Sequence, residues 1–500
     1  MKIPSFLLSV SLLVGSLNAA GEAFRFPRST PEEQGVSSAA ILRFIEEAEP
    51  RVDGLNSFML LRHGKVVAEG WWAPYAADEP HMMYSLSKSF TSTAIGLLQS
   101  EGKISIYDPL LKFFPEDAPA NPSDNLKAMR LRDLLRMSTG QHQEDVDRIN
   151  VNAADKTGTK QFLAAPVAHK PGTHFYYNSP GTYMLSAVVQ KVTGQTVRDY
   201  LTPRLFEPLG IPTPVWDSTP QGINIGASGL HLRTEDIAKF GQLYLQKGRW
   251  QSQQLVPAAW VEEATSLQTA NGGDPASNWE QGYGYQFWRC PFGFYRGDGA
   301  FGQFCIVLDK YDAVIAITSG TRDMAAVMNT AWKYLLPAFQ DGALPADAVA
   351  HGRLADKLAH LSTPPQLGAA TSPVIAAVTG RRYKFPANDQ KIESISLTST
   401  DSAGVAAFTV VINGAEEHFT ATPGIWRKGG EIPSETGPEP VACSGAWTGD
   451  YAYTLKVCGY RTTFTTTYRL RFADSQLLVD TDRNVGFGNL RPPTLTGSAE

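Results

Sequence analysis

The sequence predicts an α+β protein: an antiparallel sheet with flanking helices and a helical subdomain, followed by a small all-β C-terminal domain. Three features of the chain point to this. Strand patterns stand at both ends of residues 55–320 with helical and loop segments between them, as expected when the two ends meet in one sheet and the middle is an insertion. Near 362–375, Thr363-Pro364-Pro365 and Thr371-Ser372-Pro373 bracket a small-residue stretch without periodicity, which reads as a linker. Beyond it the chain is strand-like throughout, with turn residues between short strands.

Taken in order, Lys2, the apolar run Phe6 to Val14 and the small residues Asn18-Ala19-Ala20-Gly21 have the layout of a secretory signal over 1–20. The main domain is expected over 21–362. Thr30-Pro31-Glu32-Glu33 resembles the cap of a lead-in helix that continues through Ala39 to Ala48. Ser57 to Leu61 and Val66 to Gly70 form a hairpin around His63-Gly64-Lys65. Phe90, Ala94, Ile95, Leu97 and Leu98 define an apolar helix of about four turns that Gly102 stops. Strand patterns return at Gly282 to Arg289, Phe301 to Leu308 and Ala313 to Thr318, followed by a helix from Met324 to Phe339. The β domain, 376–500, is expected to hold strands at 394–397, 407–412, 453–458, 460–466 and 468–472.

Composition narrows the function. At 500 residues and 43% hydrophobic there is material for more than one core. A net charge of −5 with mixed signs offers no basic stripe for nucleic acid and no polybasic membrane patch. No later apolar run reaches membrane-spanning length, so an exported, periplasmic or secreted protein without an integral membrane segment is expected once the signal is removed. Of the four cysteines, Cys290 and Cys305 are close in sequence, as are Cys443 and Cys458, which favours two local disulfides over free buried thiols. Neither C-x-x-C nor H-E-x-x-H occurs, so no zinc site is indicated.

The segment Met83-Tyr84-Ser85-Leu86-Ser87-Lys88-Ser89-Phe90 carries the chemistry. A serine hydroxyl needs a neighbouring base to become a nucleophile. Residues three apart share a helix face, so Lys88 can reach back over Ser85. At a helix start, backbone N–H groups point toward any oxyanion formed on the attacked carbonyl. The bland alternative is a serine N-cap followed by a solvated lysine, but a lysine on an apolar helix is desolvated and becomes a better base. Two further segments can complete the site. In Phe175-Tyr176-Tyr177-Asn178-Ser179, Tyr176 would relay a proton and Asn178 would hydrogen-bond substrate or Lys88, against the alternative of core aromatic packing. In Gly297-Asp298-Gly299-Ala300-Phe301-Gly302-Gln303, Gly299 would let substrate approach and Ala300 N–H would be the second oxyanion donor, against a plain hairpin turn.

Together these segments resemble the serine β-lactamase and penicillin-binding protein superfamily, in its class C and esterase-like branch. Met83 to Ser92 is similar to the family's nucleophile helix. Leu131-Arg132-Asp133-Leu134-Leu135-Arg136-Met137-Ser138-Thr139-Gly140 is similar to its "RDLLTHTSG" stretch. Tyr176-Tyr177-Asn178 resembles its Y-x-N element, and Thr234 to Gly241 its helix before the closing strands. The resemblance implies that fold and a two-step acyl transfer: Ser85 attacks, Lys88 and Tyr176 manage the proton, Ser85 and Ala300 N–H hold the oxyanion, and Asn178 positions substrate. It implies no metal or organic cofactor.

The chain departs from the family at the third motif, where K-T-G or H-x-G is replaced by Gly297-Asp298-Gly299. Unless Arg296 or another residue supplies it, the cation for a substrate carboxylate is absent, which shifts the expectation from β-lactams and D-Ala peptides toward neutral esters or amides. The function expected is therefore an exported serine hydrolase acting on a small-molecule or peptide-like ester or amide. The alternatives are a β-lactamase or D-Ala-type peptidase and, from another class, a non-catalytic scaffold of the same fold. For the β domain, sequence leaves open capping of the cleft, substrate binding and stabilisation.

Overall fold

The computed structural model describes residues 24–401, 404–434 and 437–500, so the signal expected over 1–20 lies outside the described residues. The first domain is built on a six-stranded antiparallel sheet: β1 (Leu55–Arg62), β2 (Lys65–Trp71), β3 (Trp288–Arg289), β4 (Tyr295–Gly299), β5 (Gln303–Leu308) and β6 (Ala313–Ser319). Its order is β2-β1-β6-β5-β4-β3. The hairpin β1–β2 is thus joined to the later strands through β1 and β6, with Phe58 opposite Ile317 and Leu60 opposite Ile315. Everything between Trp71 and Trp288 is inserted between two parts of one sheet, as the sequence pattern predicts.

Side chains alternate across a strand, and the alternation assigns two cores. Phe58, Leu60, Phe304, Ile306, Ile315 and Ile317 face α1 (Ser38–Ala48), α5 (Met324–Tyr334) and α6 (Ala348–Ala359). Met59, Leu61, Cys305, Val307, Val314 and Ala316 face the inserted helices, chiefly α2 (Ser87–Ser100) and α4 (Thr234–Leu245). Both sheet faces are covered, so α2 is pressed between the sheet and the rest of the insertion, including α3 (Ser179–Thr193). No helix among the described residues is long and apolar enough to cross a membrane.

The second domain is a ten-stranded antiparallel sheet: β7 (Arg382–Lys384), β8 (Ile392–Thr400), β9 (Ala406–Ile412), β10 (Ala415–Ala421), β11 (Arg427–Ser434), β12 (Gly437–Gly449), β13 (Ala452–Gly459), β14 (Thr465–Ala473), β15 (Gln476–Arg483) and β16 (Leu495–Ala499). The order is β10-β9-β8-β7-β16-β15-β14-β13-β12-β11. Its two edge strands, β10 and β11, are joined by a tight turn bridged between Thr422 and Ile425, so the sheet curls back on itself like a barrel. The connection changes allegiance over a few residues. Thr363 N bonds to Ala73 O of the first domain, whereas Gln366 N bonds to Ser444 Oγ and Ala369 exchanges two bonds with Trp447 of the second.

Several local expectations are corrected. Thr30 to Glu33 does not cap α1; it leads into a separate 3-10 turn, Glu32–Gln34, and Ser37 is the cap, accepting from Ala40 N. Residues 282–287 are not a strand, because the carbonyls of Tyr285 and Gln286 accept from Ser92 Oγ and Ser89 Oγ of α2 instead of entering a ladder. The helix expected to reach Phe339 ends at Tyr334 and is followed by a 3-10 turn around Pro337. Residues 460–464 form a loop, not a strand: Gly459 N bonds to Phe464 O and the chain folds back. The expected disulfides are absent, and all four cysteines are free and buried. Alternation explains this. Ala442 stands opposite Cys458 and Cys443 opposite Val457, so the two sulfurs leave opposite faces of the sheet. Cys290 and Cys305 likewise belong to cores on opposite sides of the first sheet. Unfolding the protein without reductant should therefore expose four thiols to a colorimetric thiol reagent; two or none would contradict this packing.

Candidate active site

Ser85 is the second residue of a 3-10 turn, Tyr84–Leu86, that runs into α2. Its N–H therefore has no partner inside the helix and is available to an oxyanion. Tyr84 holds a left-handed φ of 46°, a conformation a tyrosine keeps only where its surroundings enforce it. They do so from both sides. Met83 N donates to Leu230 O at 2.8 Å and Met82 N donates to Arg461 O at 2.9 Å. Ser87 Oγ donates to Tyr84 O at 2.7 Å and accepts from Leu230 N at 3.2 Å. Other α2 hydroxyls tie down the surrounding loops: Thr91 donates to Gly226 O, Ser92 to Tyr285 O and Ser89 to Gln286 O.

Lys88 is 1% exposed. Its Nζ lies 2.9 Å from Ser85 Oγ, 3.0 Å from Ser179 Oγ and 3.0 Å from Ala227 O. Burial lowers its pKa to about 7, against an opposing pull from the Asp298 carboxylate. A neutral amine has two N–H groups and one lone pair. Ala227 O, which only accepts, and Ser179 Oγ take the N–H groups, leaving the lone pair directed at the Ser85 hydroxyl. The Tyr177 ring covers this amine, 4.8 Å from Nζ to the ring centroid. Burial pushes the Tyr177 phenol far above its ordinary pKa, Asp298 adds to the rise, and hydrogen bonding with Ser85 opposes it. The group beside Ser85 is thus a neutral phenol. Tyr177 in turn stacks on Trp288 with ring centroids 5.4 Å apart.

The second segment is therefore out of register with the sequence expectation by one residue. Tyr176 makes no hydrogen bond with Ser85 or Lys88; its ring stands edge-on to His142 at 6.3 Å. Asn178 is fully buried and faces away from the cleft. Its Nδ2 donates to Thr139 Oγ1 at 3.0 Å and Gln141 Oε1 at 3.1 Å, and its Oδ1 accepts from Gly181 N at 2.7 Å. Asn178 is the N-cap of α3, which leaves nothing of its amide for substrate. The pair at the site is Tyr177 and Ser179. The signal that finds them is Asn-Ser-Pro-Gly itself: an asparagine just before Ser179-Pro180 reads as a cap with proline in the first turn, which aims the flanking side chains elsewhere.

The third motif lies on β4 and the turn to β5. β4 runs so close to the nucleophile turn that side chains would not fit. A Cβ on Gly299 would lie 2.1 Å from Met83 O, and one on Gly297 2.3 Å from Leu86 Cδ1. Gly299 is thus a contact with the Ser85 turn rather than with substrate. Ala300 and Phe301 form the turn, closed by Gly302 N to Gly299 O at 3.1 Å, and Ala300 N–H has no hydrogen-bond partner among the described residues. Gln303 braces this turn, donating from Nε2 to Ala300 O at 2.9 Å and Ser319 O at 2.8 Å. On the opposite face of β4, Arg296 is fully buried. Its Nη2 lies 2.8 Å from Asp298 Oδ2, its Nε donates to the same oxygen at 2.9 Å, and Trp279 Nε1 donates there at 3.1 Å. Arg296 therefore cannot replace the missing cation: it is neutralised behind the strand. Among the described residues no group of three or more His, Cys, Asp or Glu side chains is placed to hold a metal ion.

The chain is similar to several known proteins. The curated 6-aminohexanoate-dimer hydrolase of Paenarthrobacter ureafaciens is 25% identical over 337 residues, covering 62% of this chain and 84% of that protein. The octameric penicillin-binding protein homologue from Pyrococcus abyssi superimposes with a TM-score of 0.47 at 16% identity, over 92% of this chain and 98% of its own. A family VIII carboxylesterase does so with a TM-score of 0.46 at 17% identity, over 62% and 99%. A family model described as Beta-lactamase matches residues 45–338, more than half of the chain. Because that match runs from α1 to just beyond α5, through the sheet and the whole helical insertion, the chain belongs to the β-lactamase family, within the serine β-lactamase and penicillin-binding protein superfamily.

Proposed function

We propose that this protein is an exported serine hydrolase that cleaves an ester or amide bond through an acyl-Ser85 intermediate. The observation that carries the reading is the buried Lys88 amine, 2.9 Å from Ser85 Oγ and with acceptors for both of its own N–H groups. In acylation, Ser85 O–H gives its proton to Lys88 Nζ as Oγ bonds to the substrate carbonyl carbon. The carbonyl oxygen takes the negative charge and faces the Ser85 and Ala300 N–H groups. Collapse breaks the bond to the alcohol or amine, which leaves with a proton passed from the Lys88 ammonium through the Tyr177 hydroxyl. Water then repeats the sequence on the acyl-serine, and Ser85 is restored. Export rests on the signal-like layout of residues 1–20.

The neutralised Arg296 favours uncharged esters and amides over carboxylate-bearing β-lactams and D-Ala peptides. The curated relative named a 6-aminohexanoate-dimer hydrolase supports hydrolysis in this family without fixing the bond cleaved here.

A fluorophosphonate probe should add one label to the protein by intact mass and none to Ser85→Ala; labelling elsewhere, or labelling by penicillin alone, would overturn this reading. Lys88→Ala should lower acylation by about 10²-fold or more. Because Lys88 must be neutral to accept the proton, kcat/KM should rise with pH through about 7 and fall about tenfold per pH unit below it. Tyr177→Phe should lower kcat/KM by about 10²-fold, while Tyr176→Phe changes it far less; the reverse order would restore the sequence-based assignment.

A further inference from the structure

We propose that two phenylalanines of the β domain, Phe464 and Phe487, complete an apolar subsite beside Ser85 and select substrates that carry an uncharged aliphatic or aryl group next to the scissile carbonyl. The proposal rests on the acyl-Ser85 reading and names its substrate class.

Four rings from four segments meet beside the Ser85 turn. Tyr84 lies 5.5 Å from Phe301, 6.4 Å from Phe464 and 6.1 Å from Phe487, centroid to centroid. Phe301 lies 6.0 Å from Phe464 and 4.8 Å from Phe487. The position of the cluster gives it meaning. Tyr84 immediately precedes Ser85 and Phe301 immediately follows Ala300, so the rings border both N–H groups that face the reacting carbonyl oxygen. An isolated exposed phenylalanine needs no explanation. Phe487, however, is 79% exposed while packed against the flank of the reaction centre.

The two loops that present these rings are fixed. Thr463 Oγ1 donates to Ser319 O at 2.8 Å, and Asn484 Nδ2 donates to Gly320 O at 3.2 Å and Thr463 O at 2.9 Å. A Cβ on Gly320 would lie 2.6 Å from Thr463 O, so the loop sits directly on the end of β6. Both loops are thus tied at their bases to the end of β6, which reduces the ordering cost of binding. It is also electrically quiet toward anions. Arg461 on the same loop is engaged by Glu79 at 2.9 Å, and Arg296 behind β4 by Asp298. An apolar group gains from burial here and a carboxylate finds no unpaired partner in these residues.

The test uses the full chain and two ester series. p-Nitrophenyl esters from acetate to octanoate lengthen the acyl side, and acetate esters of ethanol to octanol lengthen the leaving side. In the wild type, kcat/KM should rise with chain length in at least one series. Phe487→Ala should reduce the long-to-short ratio in that series about tenfold, and the series affected tells which side of the carbonyl the subsite holds. Phe487→Trp should keep the ratio, and Tyr451→Ala, an exposed aromatic elsewhere on the β domain, should not change it. Fluorophosphonate labelling of Ser85 with a ratio unmoved in Phe487→Ala overturns the subsite alone. Failure to label Ser85 in the wild type overturns the acyl-serine reading and the subsite with it.

Discussion

The burial of one amine governs this site. Lys88 sits inside the protein with three oxygen neighbours and a phenol over its face, and none of those neighbours is a carboxylate in direct contact. Desolvation costs the charged form more than the neutral one, so the environment lowers proton affinity toward neutrality without removing the hydrogen bonds that orient the nitrogen. The remaining features serve that arrangement. The α2 hydroxyls hold the loops that bury Lys88, and glycines at 297 and 299 let β4 close over the nucleophile turn. The Arg296–Asp298 pair holds two charges within one buried unit, and the Asp298 carboxylate still opposes part of the desolvation at Lys88.

The juxtaposition of Ser85 and Lys88 is legible in sequence because their relation is local: three residues along one helix determine it. Most of the sheet is legible too, since the near-continuous apolar runs at 57–61, 304–308 and 313–317 fit strands buried on both faces. Legibility ends where one residue of register decides the outcome. Tyr176 and Tyr177 are chemically equal in sequence, and only the capping of α3 by Asn178 decides which one faces Ser85. Cys443 and Cys458 fail to pair for the same reason, a parity of strand position that closeness in sequence does not encode. Residues 460–464 carry the composition of a strand but serve as a docking loop, because Arg461 O accepts the Met82 N–H of the other domain.

The β domain contacts segments of the first domain that flank Ser85. Its loop beyond β13 touches the backbone two residues before Tyr84 and the carbonyls that end β6, so it bears on both walls of the cleft. The family model ends at residue 338, before this module begins. Traits that distinguish this chain from relatives lacking such a module are to be sought at that junction rather than around Ser85.

The bond from Met82 N to Arg461 O has an implication for inheritance. A hydrolase half separated from its own β half keeps a main-chain donor beside the left-handed Tyr84 turn that only water is left to meet. In an exchange of modules between lineages, a transplanted barrel that brings a carbonyl to that one point keeps the turn clamped, and one that does not leaves the clamp to solvent.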